Sequence, residues 1–377
     1  MKRKEIPFSG QDIVQEDLEN VVSVIKSGWL AHGEYSEKLE SLFCSFTGAK
    51  YATTVSNCTA GLHLSCLAAG FKTGDEVIVP AQTHTATAHA VEYTGASAVF
   101  ADVDLISGNI LVSEIEKRIT KKTKGIIPVH MAGYPCEMEE IQSICDNHNI
   151  ILIEDCAHAI GTKYNENHVG KFGFSGNFSF YPTKQITTGE GGIVISDDKS
   201  VIEKIKKLKA FGIDTPPELR QKPGVYDVKE LGYNYRMTDF QAALGAGQMS
   251  RYSNNLAARQ INARLYCQLL EGIEGVSFVP FSESHSYFLF QIILDDDFDR
   301  DLVLSELKKN NIGVSIHYAT PVPLMSYYQS KYGVSSDQYP NSVAYGNQSI
   351  SLPVHSKLAG EDIEFICHII KGAVSKK

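Results

Sequence analysis

The chain has eight cysteines in 377 residues but no Cys-x-x-Cys pair. Cys44, Cys58, Cys66, Cys136, Cys145, Cys156, Cys267 and Cys367 are scattered, most of them in apolar segments. That spacing argues against a zinc site or a disulfide framework and for buried free thiols in a reducing cytosol. No apolar run reaches the length of about 18 residues that a membrane span needs, so none is expected. The start, Met1-Lys2-Arg3-Lys4-Glu5-Ile6-Pro7, is basic but has no apolar core behind it, unlike a secretory signal. An excess of positive charge is also missing: a net charge of -9 and a pI of about 5.8 leave no case for a nucleic-acid surface. The most basic run, Lys204 to Lys209, has helical spacing with Val201, Ile205 and Leu208 on one side, and reads as a solvated helix face. Repeats and low-complexity segments are absent. What remains is an ordinary globular composition in a length that fits two domains.

The richest stretch runs from Ser179 to Gly192. One lysine, Lys184, sits there among small, hydroxylated and glycine residues, after the aromatics Phe174, Phe178 and Phe180 and before an apolar strand, Ile193-Val194-Ile195. Burial favours a neutral amine, and a neutral amine is a nucleophile toward carbonyls. The glycines let the backbone pass close to something bulky. The plainer alternative is a surface turn with an incidental lysine.

Upstream, Asp12 to Ser27 spaces Val14, Leu18, Val21, Val22 and Ile25 as an amphipathic helix that stops at Gly28. Trp29, the single tryptophan, either packs in the core or lines a site. Ser36 to Phe46 is a second helix. Tyr51 to Val55 is a strand that runs through Ser56-Asn57-Cys58-Thr59-Ala60 into an apolar helix. Free N–H groups at that helix start, with the Thr59 hydroxyl, make an anion site, while Ser56, Asn57 or Thr59 could equally serve as a simple cap. Strands are expected at Asp75 to Pro80, Ala98 to Asp102 and Gly125 to His130, with helices at Leu111 to Ile119 and Glu137 to His148. His84, in a segment that opens a helix, could stack on a planar ligand or be an ordinary hydrogen-bonded histidine. Asn149 to Asp155 is an apolar run closed by Glu154 and Asp155, as in a central parallel strand. Ligands bind beyond the carboxyl ends of such strands, which places Asp155 and His158 at a site; a turn carboxylate is the alternative.

This alternation to about residue 200 predicts an α/β fold, a mostly parallel sheet flanked by helices. A polar-aromatic loop, Leu231 to Asp239, leads into a helix. From about residue 250 we expect a smaller α+β domain: a helix from Leu256 to Leu270, strands at Val276 to Phe278 and Tyr287 to Ile293, a helix from Asp301 to Asn310, and a strand from Gly313 to Tyr318. The division is thus 1–250, a large cofactor-binding domain with an N-terminal arm, and 251–377.

An anion-binding helix start at Thr59, a flat ring at His84, a carboxylate at Asp155, a hydroxyl at Ser179 and an amine at Lys184 would together serve a phosphorylated, cationic, aromatic aldehyde. Pyridoxal 5'-phosphate has that chemistry. The segments Ser27 to Leu30, Ser56 to Ala60, Pro80 to Thr87, Glu154 to His158, Ser179 to Gly192, Gly232 to Asp239 and His317-Tyr318 resemble, in order and over nearly the whole chain, the sugar aminotransferases of the DegT/DnrJ/EryC1/StrS family, of aspartate-aminotransferase-like fold type I.

The resemblance implies roles. Lys184 would bond the cofactor aldehyde and shuttle protons. Asp155 would pair with the ring nitrogen, His158 would lie near the ring hydroxyl, His84 would stack, and Thr59, Ala60 and Ser179 would hold the phosphate. Asn234 would reach the phosphate of a neighbouring subunit, implying a homodimer with shared sites. Arg236, Trp29, His317 and Tyr318 would approach the substrate. Transfer from L-glutamate to the C4 keto carbon of a nucleotide-linked deoxysugar, in the cytoplasm, is the expected reaction, resembling the perosamine-synthase side of the family and feeding a lipopolysaccharide, O-antigen or other glycosylated product. Alternatives are C3 amination, a keto-sugar acid without a nucleotide, and a non-catalytic pyridoxal-phosphate-binding regulator. A sugar 3-dehydratase would resemble relatives with histidine in place of Lys184. Two departures from the pattern stand out: Cys58 replaces a usual glycine, and Ala31-His32-Gly33-Glu34-Tyr35 replaces a Thr-Thr-Gly-Pro segment near the substrate entrance.

Overall fold

The computed structural model describes residues 4–215 and 222–375, so Met1 to Arg3 of the basic start lie outside it. Helices α1 (Gln15–Ser27) and α2 (Glu34–Thr47) precede β1 (Tyr51–Val55), α3 (Cys58–Ala68), β2 (Glu76–Pro80), α4 (Thr85–Glu92) and β3 (Ser97–Ala101). Then come α5 (Val112–Arg118), β4 (Thr123–Ile126), α6 (Met138–His148), β5 (Ile151–Asp155), a small hairpin of β6 (Lys163–Tyr164) and β7 (Asn167–His168), β8 (Ser175–Ser179), β9 (Gly192–Ser196), α7 (Lys199–Leu208) and α8 (Asp239–Ser250).

The seven strands of the main sheet lie in the order β1-β9-β8-β5-β4-β2-β3. β9 runs against both neighbours and the other pairings are parallel. Alternate residues of the apolar strands feed cores on opposite faces, because strand side chains alternate. Val77, Val79 and Ile153 pack under α3 and α4, whereas Ile78 and Leu152 pack under α5 and α6. The carboxyl ends of β1, β2, β5 and β8 thereby share one edge of the sheet.

The expected boundary at residue 250 falls between α8 and α9 (Tyr252–Leu270). Beyond it, β10 (Val276–Ser277), β11 (Phe290–Leu294) and β12 (Ser349–Leu352) form an antiparallel sheet. α9, α10 (Arg300–Lys309) and α13 (Gly360–Val374) cover it, and Ile6 from the N-terminal segment joins that core. α11 (Ser326–Tyr332) and α12 (Pro340–Gln348) complete the chain.

Several expectations are corrected. Lys209 is not part of a solvated face: it follows the last turn of α7 and is buried, with Nζ donating to Thr53 Oγ1 at 2.7 Å and Thr54 O at 2.6 Å. α1 starts at Gln15, and its apolar residues Val14, Leu18, Val22 and Ile25 are exposed. α1 buries Val24 and Asp17, and Asp17 accepts Val14 N–H at 2.9 Å, pairs with Arg251 and rests on Gly247 of α8, where a Cβ would meet Asp17 Oδ1 at 2.0 Å. β4 is shorter than expected, ending at Ile126, but pairing continues beyond it: Ile127 N–H donates to Ile78 O at 2.8 Å and Val129 bridges Asp155, with Pro128 between them lacking an N–H. β11 starts at Phe290 because Tyr287 takes a left-handed φ of 48°. Gly313 to Tyr318 is not a strand: Ser315 bridges Ser351 alone, while Gly313 N–H is held by Ile6 O at 2.8 Å.

Candidate active site

A cavity of about 870 Å³ opens at the carboxyl edge of the main sheet. Thr59, Ala60, His84, Asp155, His158, Ser179, Lys184, His317 and Tyr318 all line it, so the fold gathers residues that are far apart in sequence. The size suits a cofactor together with part of a substrate.

Each strand end delivers a group. β1 runs into α3, whose cap is Asn57: its Oδ1 accepts Ala60 N–H at 2.8 Å. The cap thus uses Ala60, and the first-turn N–H groups of Cys58 and Thr59 are those positioned for an anion. β2 leads to His84, which caps α4 with Nδ1 accepting Ala86 N–H at 3.2 Å and meets the edge of Tyr318 at 5.7 Å. β5 ends on Asp155 and β8 on Ser179.

Lys184 is carried by the long connection between β8 and β9. A turn in which Lys184 N–H donates to Tyr181 O at 2.9 Å lifts it from the sheet edge. Gln248 of α8 grips both sides of the Thr187 peptide, accepting its N–H at 3.1 Å and donating to its carbonyl at 2.7 Å. Gly192 is required where β9 begins: a Cβ there would meet Phe178 O at 2.7 Å and Cys58 N at 2.8 Å. At Gly192 the bulky neighbour is therefore the chain's own backbone.

Burial pushes the Lys184 amine down to about 8, with Cys58 and Asp155 opposing that fall. Burial pushes the Asp155 carboxyl up; the Thr87 hydroxyl, the Ala157 N–H and the charge of Lys184 act the other way. Thr87 Oγ1 donates to Asp155 Oδ2 at 2.8 Å and Ala157 N–H to Asp155 Oδ1 at 3.1 Å. Thr83 Oγ1 lies 2.8 Å from Thr87 Oγ1 and extends the chain of hydroxyls. Burial lowers His84, brings His317 down to about 3, and holds His158 well below the usual imidazole range. Neutral imidazoles therefore surround an amine that titrates near neutrality. His158 Nδ1 accepts Ala132 N–H at 3.3 Å, which leaves Nε2 to carry the proton toward Tyr318 OH, 3.3 Å away.

These groups fit pyridoxal phosphate. A carboxylate with two donors sits deep in the cavity, a deprotonable amine lies beside it, and an anion-ready helix start faces them. Three expected residues are not brought to this cavity. Asn234 and Arg236 are exposed and bond to each other, Arg236 Nη2 donating to Asn234 Oδ1 at 3.1 Å. Trp29 is 66% exposed, its Nε1 donating to His32 O at 3.2 Å. Sequence reasoning missed Thr87, although it lies one turn beyond His84, and Phe288, whose ring stacks on His158 at 4.4 Å. No local pattern marked Phe288.

Comparison with known proteins agrees with this geometry. The model of the DegT/DnrJ/EryC1/StrS aminotransferase family matches residues 11–371. The GDP-perosamine synthase of Vibrio cholerae is 37% identical over 351 residues, covering 92% of this chain and 93% of that protein. Among solved structures, the Helicobacter pylori aminotransferase PseC, involved in pseudoaminic acid biosynthesis, superposes with a TM-score of 0.92 at 28% identity, covering 99% of this chain and 100% of that one. A sugar aminotransferase of Streptococcus pneumoniae in its PLP form gives a TM-score of 0.91 at 28% identity, covering 99% of both chains.

Proposed function

The chain belongs to the DegT/DnrJ/EryC1/StrS aminotransferase family, and from that premise we propose that it transfers an amino group from L-glutamate to the C4 keto carbon of a nucleotide-linked deoxysugar. It is a pyridoxal-phosphate-dependent sugar aminotransferase of fold type I. The observation that carries the transamination reading is that Lys184, a buried amine brought to about 8, and Asp155, at the end of β5, line one cavity.

Bound pyridoxal phosphate supplies the electron sink that stabilises a carbanion next to the migrating nitrogen. The chain supplies the rest. Asp155, whose carboxylate accepts from Thr87 and Ala157, would pair with a positive ring nitrogen. The N–H groups that open α3, with Ser179, would hold the phosphate, and His84 would lie against the ring. Lys184 would be the residue that bonds the cofactor aldehyde, and its freed amine would take a proton from the amino-acid Cα and return it on the far side of the migrating nitrogen. An amine with a pKa near ambient pH is suited to both directions of that transfer.

The preference for C4 rests on the segment Thr187 to Gly192 and on His317-Tyr318, and on similarity to a GDP-perosamine synthase. A homodimer accounts for the remaining expected residues. Trp29, Asn234 and Arg236 face outward, as do Val14, Leu18, Val22, Ile25 and Leu30. A second copy seated there would cover this apolar strip and bring Asn234 to the partner's phosphate site. No described helix is long and apolar enough to cross a membrane, and we place the reaction in the cytoplasm, with its nucleotide-sugar substrate.

The test is the absorption spectrum of the purified protein before and after L-glutamate, followed by a panel of nucleotide keto-sugars. A yellow band that collapses on adding glutamate, with amine then passed to a 4-keto sugar, is expected. A band that glutamate leaves untouched overturns the donor; no band after reconstitution overturns the reading of Lys184.

A further inference from the structure

Arg259 of α9 is buried, and the partners that hold it are neutral. Its Nε donates to Asn255 Oδ1 at 2.7 Å, and its Nη1 donates to the carbonyls of Tyr287 at 3.1 Å and Phe288 at 3.2 Å. Taking a guanidinium out of water is costly, so what it holds matters. It holds a corner. Tyr287 has a left-handed φ of 48°, uncommon for a bulky residue. His285 stacks on the Tyr287 ring at 3.8 Å, and Ser282 N–H donates to its hydroxyl at 2.9 Å. Phe288 N–H donates at 3.0 Å to the carbonyl of Ala132, itself left-handed with a φ of 57°. A corner fixed from so many sides can keep a strained conformation, and such corners collect at functional sites.

The corner aims the Phe288 ring into the active site. One contact is the stacked His158. The other is Lys184, whose Nζ lies 4.3 Å from the Phe288 ring centroid. We propose that Phe288 is a positioning residue for Lys184: its ring face seats the Nζ ammonium whenever the lysine is not bonded to cofactor, and Arg259 locks that face in place. The idea rests on Lys184 being the cofactor lysine. An aromatic face is negative and attracts a cation, most strongly where water is excluded. The seat therefore favours the protonated amine, against burial, and keeps Nζ within reach of its task while the cofactor carries substrate.

The experiment uses the cofactor-free full chain. Acetic anhydride labels neutral amines, and mass spectrometry of the Lys184 peptide across about pH 6 to about pH 11 gives its pKa without any turnover. Phe288→Leu, which keeps an apolar side chain but removes the ring, is expected to lower the Lys184 pKa by about one unit. Phe288→Tyr is expected to restore it, and Arg259→Lys to shift it in the same direction as Phe288→Leu. Should the leucine variant fail to fold, Phe288→Met makes the same test. An unchanged or raised pKa in the ring-less variants overturns the proposal, even if their melting temperature falls; so does a tyrosine variant that shifts as far as the leucine one. Borohydride trapping of cofactor on Lys184 in the native chain is read separately, and its failure would instead remove the reading on which the proposal rests.

Discussion

Lys184 and Asn234 are both expected at one cofactor, yet the fold treats them in opposite ways. Lys184 is buried, carried by a connection that Gln248 grips at two atoms, and surrounded by Asp155, His84 and His158 from the ends of two strands, β2 and β5. Asn234 is exposed beside Arg236, on the loop whose Tyr233 and Tyr235 line the cavity, and Trp29 is exposed as well. The first region is gathered from one chain, because the carboxyl edge of a parallel sheet converges on its own ligand. The second is exposed and outside the cavity lining, its side chains bonded to near neighbours in sequence, Arg236 to Asn234 and Trp29 to His32. One set can be judged from a single subunit; the other has its proposed role in an assembly.

The largest expected effect falls on the first region. Lys184→Ala should abolish borohydride trapping of the cofactor and reduce transamination by about 10³-fold or more, since both the covalent anchor and the proton carrier are lost. Its circular dichroism should match the native chain. Turnover near the native rate in that variant would break the assignment of Lys184 and the contrast built on it.

A smaller effect sharpens the second region. In the shared-site arrangement, Lys184→Ala and Asn234→Ala chains are each weak alone. A hybrid of the two contains one site with an intact lysine from one chain and an intact asparagine from the other. An equal mixture, randomly paired, should recover about one quarter of native activity, because about half the dimers are hybrids with one good site of two. Activity equal to the average of the two parents would mean that Asn234 does not act across a subunit boundary.

The same contrast explains what the sequence could tell. Asp155 and Lys184 were legible because local pattern carries them: an apolar run ending in carboxylates, and a lysine among uncharged neighbours beside glycines. The carboxyl-edge rule then placed them together. Thr87 and Phe288 were not legible, since their importance comes from contacts with Asp155 and Lys184 that only folding creates. Periodicity read α1 correctly as a helix with an apolar stripe. It could not tell that the face turned to the chain's own body carries Asp17, a choice made by Arg251 and the gap at Gly247. Lys209 ended a basic run like any other, and only the hydroxyl and carbonyl of Thr53 and Thr54 make it a buried group.

The smallest effect probes how the first region keeps its carboxylate charged. Burial raises the Asp155 carboxyl, and the Thr87 hydroxyl is the first of the forces that bring it back down. Thr87→Val removes that hydroxyl at nearly constant volume, so Asp155 must hold its proton to a higher pH. A hydrogen bond to a charged group contributes about 1.5–3 kcal/mol, or about one to two pH units. The acid limb of the kcat/KM profile should therefore move upward by about that amount, while the limb governed by Lys184 stays in place. Above both limbs the variant should work at nearly the native rate; on the acid side it should fail first. Thr87→Ser, which keeps the hydroxyl, should return the limb to its native position. An acid limb that does not move in the valine variant would mean that Asp155 is held ionised by the ligand and by Ala157 alone, and that the hydroxyl chain from Thr83 through Thr87 is scaffolding.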